Sequence, residues 1–346
     1  MERRDFFKLG LTGAGVAAAS SLSSGTLRTN SPDMSQNAGH PWWVKSLDKP
    51  KLSVDESVYS RFDPKNTVFG SFTRYYGIEN VRELSRRNKE MEELQFRERR
   101  PGFRLEDRAL CDAAWFIHSQ GGMNRGTRSW TSNFMRTPEQ RGIEKYEGSP
   151  EEAARLVKSA SRFFGAATTG IAVLDRRHLY SQGQGKPVVF ENVEEPQSDK
   201  EKHVIPEKCT NAIALTIQMP LDNMQCSPSA IGDAASSIGY SRCEFAVAGL
   251  AQFIRGLGYV AIPSVNDLGS SVAIAVDAGL GELARFNRLI TPEFGPSVRL
   301  AKVITDLPLA TDKPIDFGLV EFCKVCMRCS EVCPPQVSFL RCGAQL

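Results

Sequence analysis

The sequence predicts an α+β fold, a layered core of helices and strands followed by a small cysteine-bearing module. Strand-length apolar runs alternate with helical patterns through the second half of the chain. A capped amphipathic helix, announced by Ser149-Pro150-Glu151-Glu152, precedes them. Four cysteines, Cys323, Cys326, Cys329 and Cys333, are crowded near the C-terminus and set the module apart.

The N-terminus reads as an address. Arg3-Arg4-Asp5-Phe6-Phe7-Lys8 is followed by a weakly apolar, Gly/Ala-rich run from Leu9 to Ala19. That run is too short to cross a bilayer, which takes about 20 apolar residues. A basic start, a modest apolar region and later small residues describe an export signal. The Arg-Arg pair with Phe and Lys at these offsets resembles the twin-arginine pattern R-R-x-F-x-K. Glu2 departs from it, standing where Ser or Thr is usual. The competing reading is a frayed helix with solvated arginines. Cleavage at Ala17-Ala18-Ala19, or further along the Ser-rich stretch to Asn37, leaves residues 1–36 as signal and linker.

Residues 37–165 read as a helical and irregular region. His40 to Tyr76 is rich in Pro, Trp, Tyr and Phe with little periodicity. Val81 to Arg100, dense in Arg, Lys and Glu, predicts a solvated helix. Glu106 to Phe116 gathers Ala109, Ala113, Ala114 and Phe116 on an amphipathic helix. Gly121-Gly122-Met123-Asn124 ends it as a turn, since no flanking pattern supports a phosphate cradle. At Ser149 the N-cap, the Pro in the first turn and the Glu reaching back start a helix. Ala153, Leu156, Val157, Ala160 and Phe164 lie on its one apolar face.

Residues 166–315 form the predicted core. Gly170 to Leu174 is strand-like, and Ala212 to Met219 is a strand broken by Pro220. Ile231 to Leu257 is a long apolar helix ended by Gly256-Leu257-Gly258. Tyr259 to Pro263 predicts a strand, Ser271 to Ala278 a helix, and Val298 to Thr305 a strand. There is no internal repeat.

Composition narrows the function. The 346 residues are 41% hydrophobic and 24% charged, with a formal net charge of +3. So small and mixed a charge gives no reason to expect a nucleic-acid partner. Nine cysteines would suit a disulfide scaffold only in a short secreted chain. Cys111, Cys209, Cys226 and Cys243 are scattered and read as small buried apolar residues.

Residues 316–346 carry the motif with chemistry in it. Cys323-x2-Cys326-x2-Cys329-x3-Cys333-Pro334 has bacterial ferredoxin spacing, whose thiolates ligate a 4Fe–4S cluster. Zinc, the competing metal, normally takes two separated C-x2-C pairs. In two-cluster ferredoxins the cysteine before proline serves the other cluster. Either Cys333 or Cys342 then completes a single cluster, or a second motif is missing from this chain.

With a twin-arginine signal in front and this motif behind, the chain resembles the respiratory reductive dehalogenases, which are corrinoid iron–sulfur enzymes. Ser237-Ile238-Gly239-Tyr240 and the run Phe253-Ile254-Arg255-Gly256-Leu257-Gly258-Tyr259 are similar to blocks of that family. So are Leu289-Ile290-Thr291-Pro292-Glu293-Phe294-Gly295-Pro296 and Glu321-Phe322-Cys323. The resemblance implies a nitroreductase-like, corrinoid-binding core with a ferredoxin-like module, one cobamide bound base-off, and two 4Fe–4S clusters. Consistent with that, the D-x-H-x-x-G pattern that would supply a histidine to cobalt is absent. His40, His118, His178 and His203 form no ligand-spaced pair and read as surface or core histidines. Members of the family continue further and carry a second cysteine motif, so the expectation is a C-terminally truncated member, altered after about Gln336.

The implied reaction removes halide from a small organohalide and adds a proton to carbon. A tyrosine is a weak acid, with a usual pKa near 10, unless a cation stabilises its phenolate. By motif position the resemblance places Tyr240 as proton donor, Arg299 as its electrostatic partner and Asn266 in the same pocket. Read without it, Tyr240 is a packing aromatic and Arg299 a salt-bridge residue. The implied partners are a small membrane-anchor protein at the outer face of the cytoplasmic membrane and an upstream respiratory electron donor. The rival readings are an epoxyqueuosine-reductase-like corrinoid enzyme, a single-cluster electron carrier, or an inactive truncated product.

Overall fold

The computed structural model describes residues 40–51, 54–120, 129–131 and 137–332. The export signal, the Gly121–Asn124 turn, Cys333, Pro334 and Cys342 lie outside the described residues.

Helices α1 (Val68–Tyr76), α2 (Ile78–Arg97) and α3 (Leu105–Gln120) come first. The charge-dense segment is indeed a helix with no buried residue, laced by ion pairs such as Arg86–Glu83 and Arg86–Glu90. Helix α4 (Pro150–Phe163) begins as expected. The Ser149 hydroxyl accepts from the Glu152 N–H, and the Glu152 carboxylate accepts from the Ser149 N–H. Ala153, Val157 and Ala160 are buried on its inner face.

Strand β1 (Thr168–Val173) follows, then β2 (Lys186–Glu191), β3 (His203–Pro206) and β4 (Asn211–Gln218). Helix α5 (Ala230–Gly256), strand β5 (Ala261–Ser264), helix α6 (Ser271–Asp277) and strand β6 (Val298–Thr305) complete the core. The central sheet has the order β1-β4-β6-β5 and is antiparallel throughout, with Arg299 opposite Ile217 and Lys302 opposite Ser264.

Each strand presents alternate residues to opposite faces. From β4, Ile213, Leu215 and Ile217 join α4 and α5 in one cluster, with Ala301 and Val303 from β6. Ala212 and Ala214, with Ile304, Ile262 and α6 residues Ile274 and Ala275, form a second cluster on the other face. Because both faces are covered, β4 reads as a continuous apolar run rather than an alternating one. The chain reverses after α5 at Gly258, whose φ of +95° is the left-handed region that glycine enters freely.

A second sheet, for which the sequence offered no assignment, joins Gln182–Gly183, β2, β3 and Gln197–Ser198, with β2 and β3 parallel. Its strands are short and interrupted by Gly, Lys and Pro, so periodicity could not announce them. Residues 59–62 are tied to this side. The Tyr59 hydroxyl donates to Nδ1 of His178 at 2.5 Å, and Nε2–H of that ring donates to Asp277 at 2.7 Å. Helices α7 (Leu319–Cys326) and α8 (Arg328–Glu331) end the described chain, joined at Met327 with φ +53°. No helix of the described residues is long and apolar enough to cross a membrane.

The scattered cysteines do not all fit the expectation. Cys111, Cys209 and Cys243 are buried, but Cys226 is exposed. It falls just beyond a short helical turn, Leu221–Met224, that has no buried residue, so no layer covers it.

Candidate active site

Three elements meet at one end of the central sheet. Tyr240 lies in the middle of α5, Arg299 is the second residue of β6, and Asn266 stands two residues past β5. Since β5 and β6 are antiparallel, the end of one and the start of the other share a sheet edge. The helix crosses that edge on the α5 face, to which Arg299 belongs by strand parity.

The phenol oxygen of Tyr240 accepts from Nδ2 of Asn266 at 2.8 Å and from Nη1 of Arg299 at 3.3 Å. The Arg299 guanidinium also lies 4.3 Å from the centroid of the Tyr240 ring. The structure thus brings together the three residues singled out from sequence. Both contacts use the phenol oxygen as acceptor, so its own proton has no protein acceptor among the described residues. A cation and an amide donor at that oxygen stabilise the negative charge that develops when the proton leaves. Asn266 is exposed and Tyr240 half-buried, so the triad is open to a ligand. Nε of Arg299 is buried and has no hydrogen-bond partner among the described residues.

Helix α3 supplies the surroundings that sequence reasoning missed. The Trp115 ring stacks on Tyr240 at 5.8 Å and 19°, and the His118 ring lies 5.0 Å from it. His118 was expected to be only a surface or core residue. It stands half-buried beside the phenol, with Nδ1–H donating to Oε1 of the fully buried Glu244 at 3.1 Å. Ser241 joins the helices: its hydroxyl donates to the Ala114 carbonyl at 2.6 Å and accepts from the His118 N–H at 3.1 Å. Trp115 and His118 sit three residues apart on one helix face, the single pattern by which they were detectable.

The cysteine segment is held to the core by its backbone. Oε2 of buried Glu282 accepts from the N–H groups of Phe317 (2.8 Å) and Leu319 (3.2 Å), capping the start of α7. Arg285 donates to the Cys323 carbonyl at 3.2 Å. Cys323, Cys326 and Cys329 are half-buried on α7 and α8. Three thiols at this spacing fit an iron–sulfur cluster in donor chemistry. Among the described residues, however, no three His, Cys, Asp or Glu side chains converge as a metal-holding group.

The profile of the reductive dehalogenase subunit family matches residues 39–185 and 181–309. The tetrachloroethene reductive dehalogenase of Sulfurospirillum multivorans is 33% identical over 96% of this chain and 74% of its own. That of Dehalobacter restrictus is 36% identical over 64% of this chain and 44% of its own. A solved reductive dehalogenase, described in connection with B12-dependent dehalogenation, superposes with a TM-score of 0.59 at 21% identity. It covers 86% of this chain, which spans 38% of the solved one. The shared fold is a mixed helix-and-sheet architecture. The chain belongs to the reductive dehalogenase family.

Proposed function

We propose that the chain acts in reductive dehalogenation, replacing a carbon–halogen bond of a small organohalide by carbon–hydrogen, in organohalide respiration. The observation that carries this is the Tyr240 phenol, its oxygen held by Asn266 and Arg299 and its proton uncommitted. Tetrachloroethene, named for both curated relatives, is the first substrate to try.

The reaction takes two electrons and one proton and releases halide. A cobamide, when bound, supplies the electron pair to the carbon–halogen bond. Tyr240, Asn266 and Arg299 would line the substrate pocket. Tyr240 gives its proton to carbon, Asn266 and Arg299 hold the phenol oxygen while charge grows there, and Trp115 keeps water from one side of the ring. Donor chemistry and spacing favour Cys323, Cys326, Cys329 and Cys333 as ligands of a 4Fe–4S cluster in a ferredoxin-like module, with a second cluster expected from the family. The two-faced sheet favours a nitroreductase-like layering of the core. The Arg3-Arg4 pattern supports export by the twin-arginine route to the outer face of the cytoplasmic membrane, with a small anchor protein and a respiratory electron donor as partners.

The test is anaerobic reconstitution with iron, sulfide and cobamide, followed by chloride release from tetrachloroethene with a low-potential reductant. Wild type should release chloride, and Tyr240→Phe should lose about 100-fold or more of that rate. Full activity in Tyr240→Phe, with cofactors equally loaded, would overturn the reading.

A further inference from the structure

We propose that Lys302 is a positioning residue for the proton donor, acting through the loop that carries Asn266. This rests on the reading of Tyr240 as the acid, and it extends the site to a side chain on the far face of the sheet.

Lys302 is among the largest fully buried side chains of the protein. Strand parity puts it on the face of β6 opposite Arg299, in an apolar row with Leu300 and Ile304. An ammonium taken out of water is costly, and a Met of similar length would fill this layer without that cost. The gain lies in what the ammonium grips. Nζ donates to the Val265 carbonyl at 2.8 Å and to the Ser271 hydroxyl at 2.9 Å. The Ser271 hydroxyl in turn donates to the same Val265 carbonyl at 2.8 Å, closing a three-membered network. Downstream, the Ser264 hydroxyl donates to Asp267 at 2.8 Å.

These bonds bracket one residue. Asn266 lies between Val265 and Asp267, is itself exposed, and has its amide on the Tyr240 oxygen. An exposed loop residue does not hold a donor at 2.8 Å without support. The support comes from below, from a buried lysine and the first residue of α6. The two cations of β6 therefore serve one phenol from opposite faces of the sheet, Arg299 by direct contact and Lys302 through the Val265 carbonyl.

A double-mutant cycle read by NMR tests this without needing turnover. The full chain is labelled with 13Cζ-tyrosine, and the Tyr240 signal among the seven tyrosines is assigned by its loss in Tyr240→Phe. The Cζ shift reports hydrogen bonding at the phenol oxygen. Lys302→Met and Asn266→Ala should each move that signal in the same direction. The double variant should move it no further than Asn266→Ala alone, because one acts through the other. Ser271→Ala should move it the same way by less, and it decides the question by the same cycle if Lys302→Met does not fold. A signal left in place by these variants, or shifts that add in full, would overturn the proposal. In turnover, Lys302→Met should lower kcat about tenfold with KM little changed. Full dechlorination by Tyr240→Phe would remove the functional reading, while the NMR cycle would still decide the role of Lys302.

Discussion

Gly239 and Arg299 share one space. A Cβ built on Gly239 would stand 2.8 Å from Cγ of Arg299, closer than carbon atoms approach, and a tight 3.0 Å from Cγ of Met219. The glycine sits in the interior of a long helix, where alanine is usually favoured by about 1 kcal/mol. Its presence beside Tyr240 is explained by the aliphatic stem of Arg299, which passes over it.

Gly239→Ala should therefore damage activity more than stability. The helix gains propensity while Arg299 is pushed off the phenol. Chloride release should fall at least about tenfold, and the melting temperature should change by only a few degrees. Parallel turnover and thermal unfolding measurements check this; unaltered turnover would show that the contact does not matter.

Glu244 offers a contrast, because its loss should be felt by the whole fold. It is fully buried and bonded to His118 across the α3–α5 interface. Glu244→Ala removes the acceptor at Nδ1 of His118 and opens a cavity, which should cost about 3 kcal/mol or more in urea unfolding. Glu244→Gln keeps an acceptor of the same shape and should lose about half of that or less.

The cap on α7 predicts a metal phenotype far from the thiols. Glu282→Ala leaves the N–H groups of Phe317 and Leu319 without their acceptor. The helix should lose about 1–2 kcal/mol of local stability. Iron bound per chain after reconstitution should drop, while the central sheet keeps its hydrogen-exchange protection. Undiminished iron in this variant would mean that the cysteine segment holds itself.

Thiol reactivity should separate the scattered cysteines. Burial pushes the Cys209 and Cys243 thiols up to about 12. The thiolate is the reactive form, so at pH 8 roughly one part in ten thousand is ionised. In the native protein both should resist iodoacetamide, with labelling that rises with pH, whereas exposed Cys226 should label readily. Peptide mass spectrometry reads the three sites apart, and early labelling of Cys243 would contradict its burial on the face of α5 that packs against the sheet.

Most of what local chemistry controls was determined by the sequence itself. The capping box at Ser149, the left-handed reversal at Gly258 and the apolar runs of β4 and β6 depend on residues near one another in the chain, so their positions were legible to within a few residues. The cysteine spacing was legible for the same reason. Tyr240, Arg299 and Asn266 were found by resemblance, since helix, strand and loop periodicity say nothing about which of their residues will meet. Only the tertiary structure decided that the last residue of β5, Ser264, pairs with Lys302 of β6, that α3 lays Trp115 and His118 against Tyr240, and that Lys302 grips Val265 from behind. Those relations join residues far apart in sequence. They depend on antiparallel register and helix packing, which are set by burying two faces of one sheet at once.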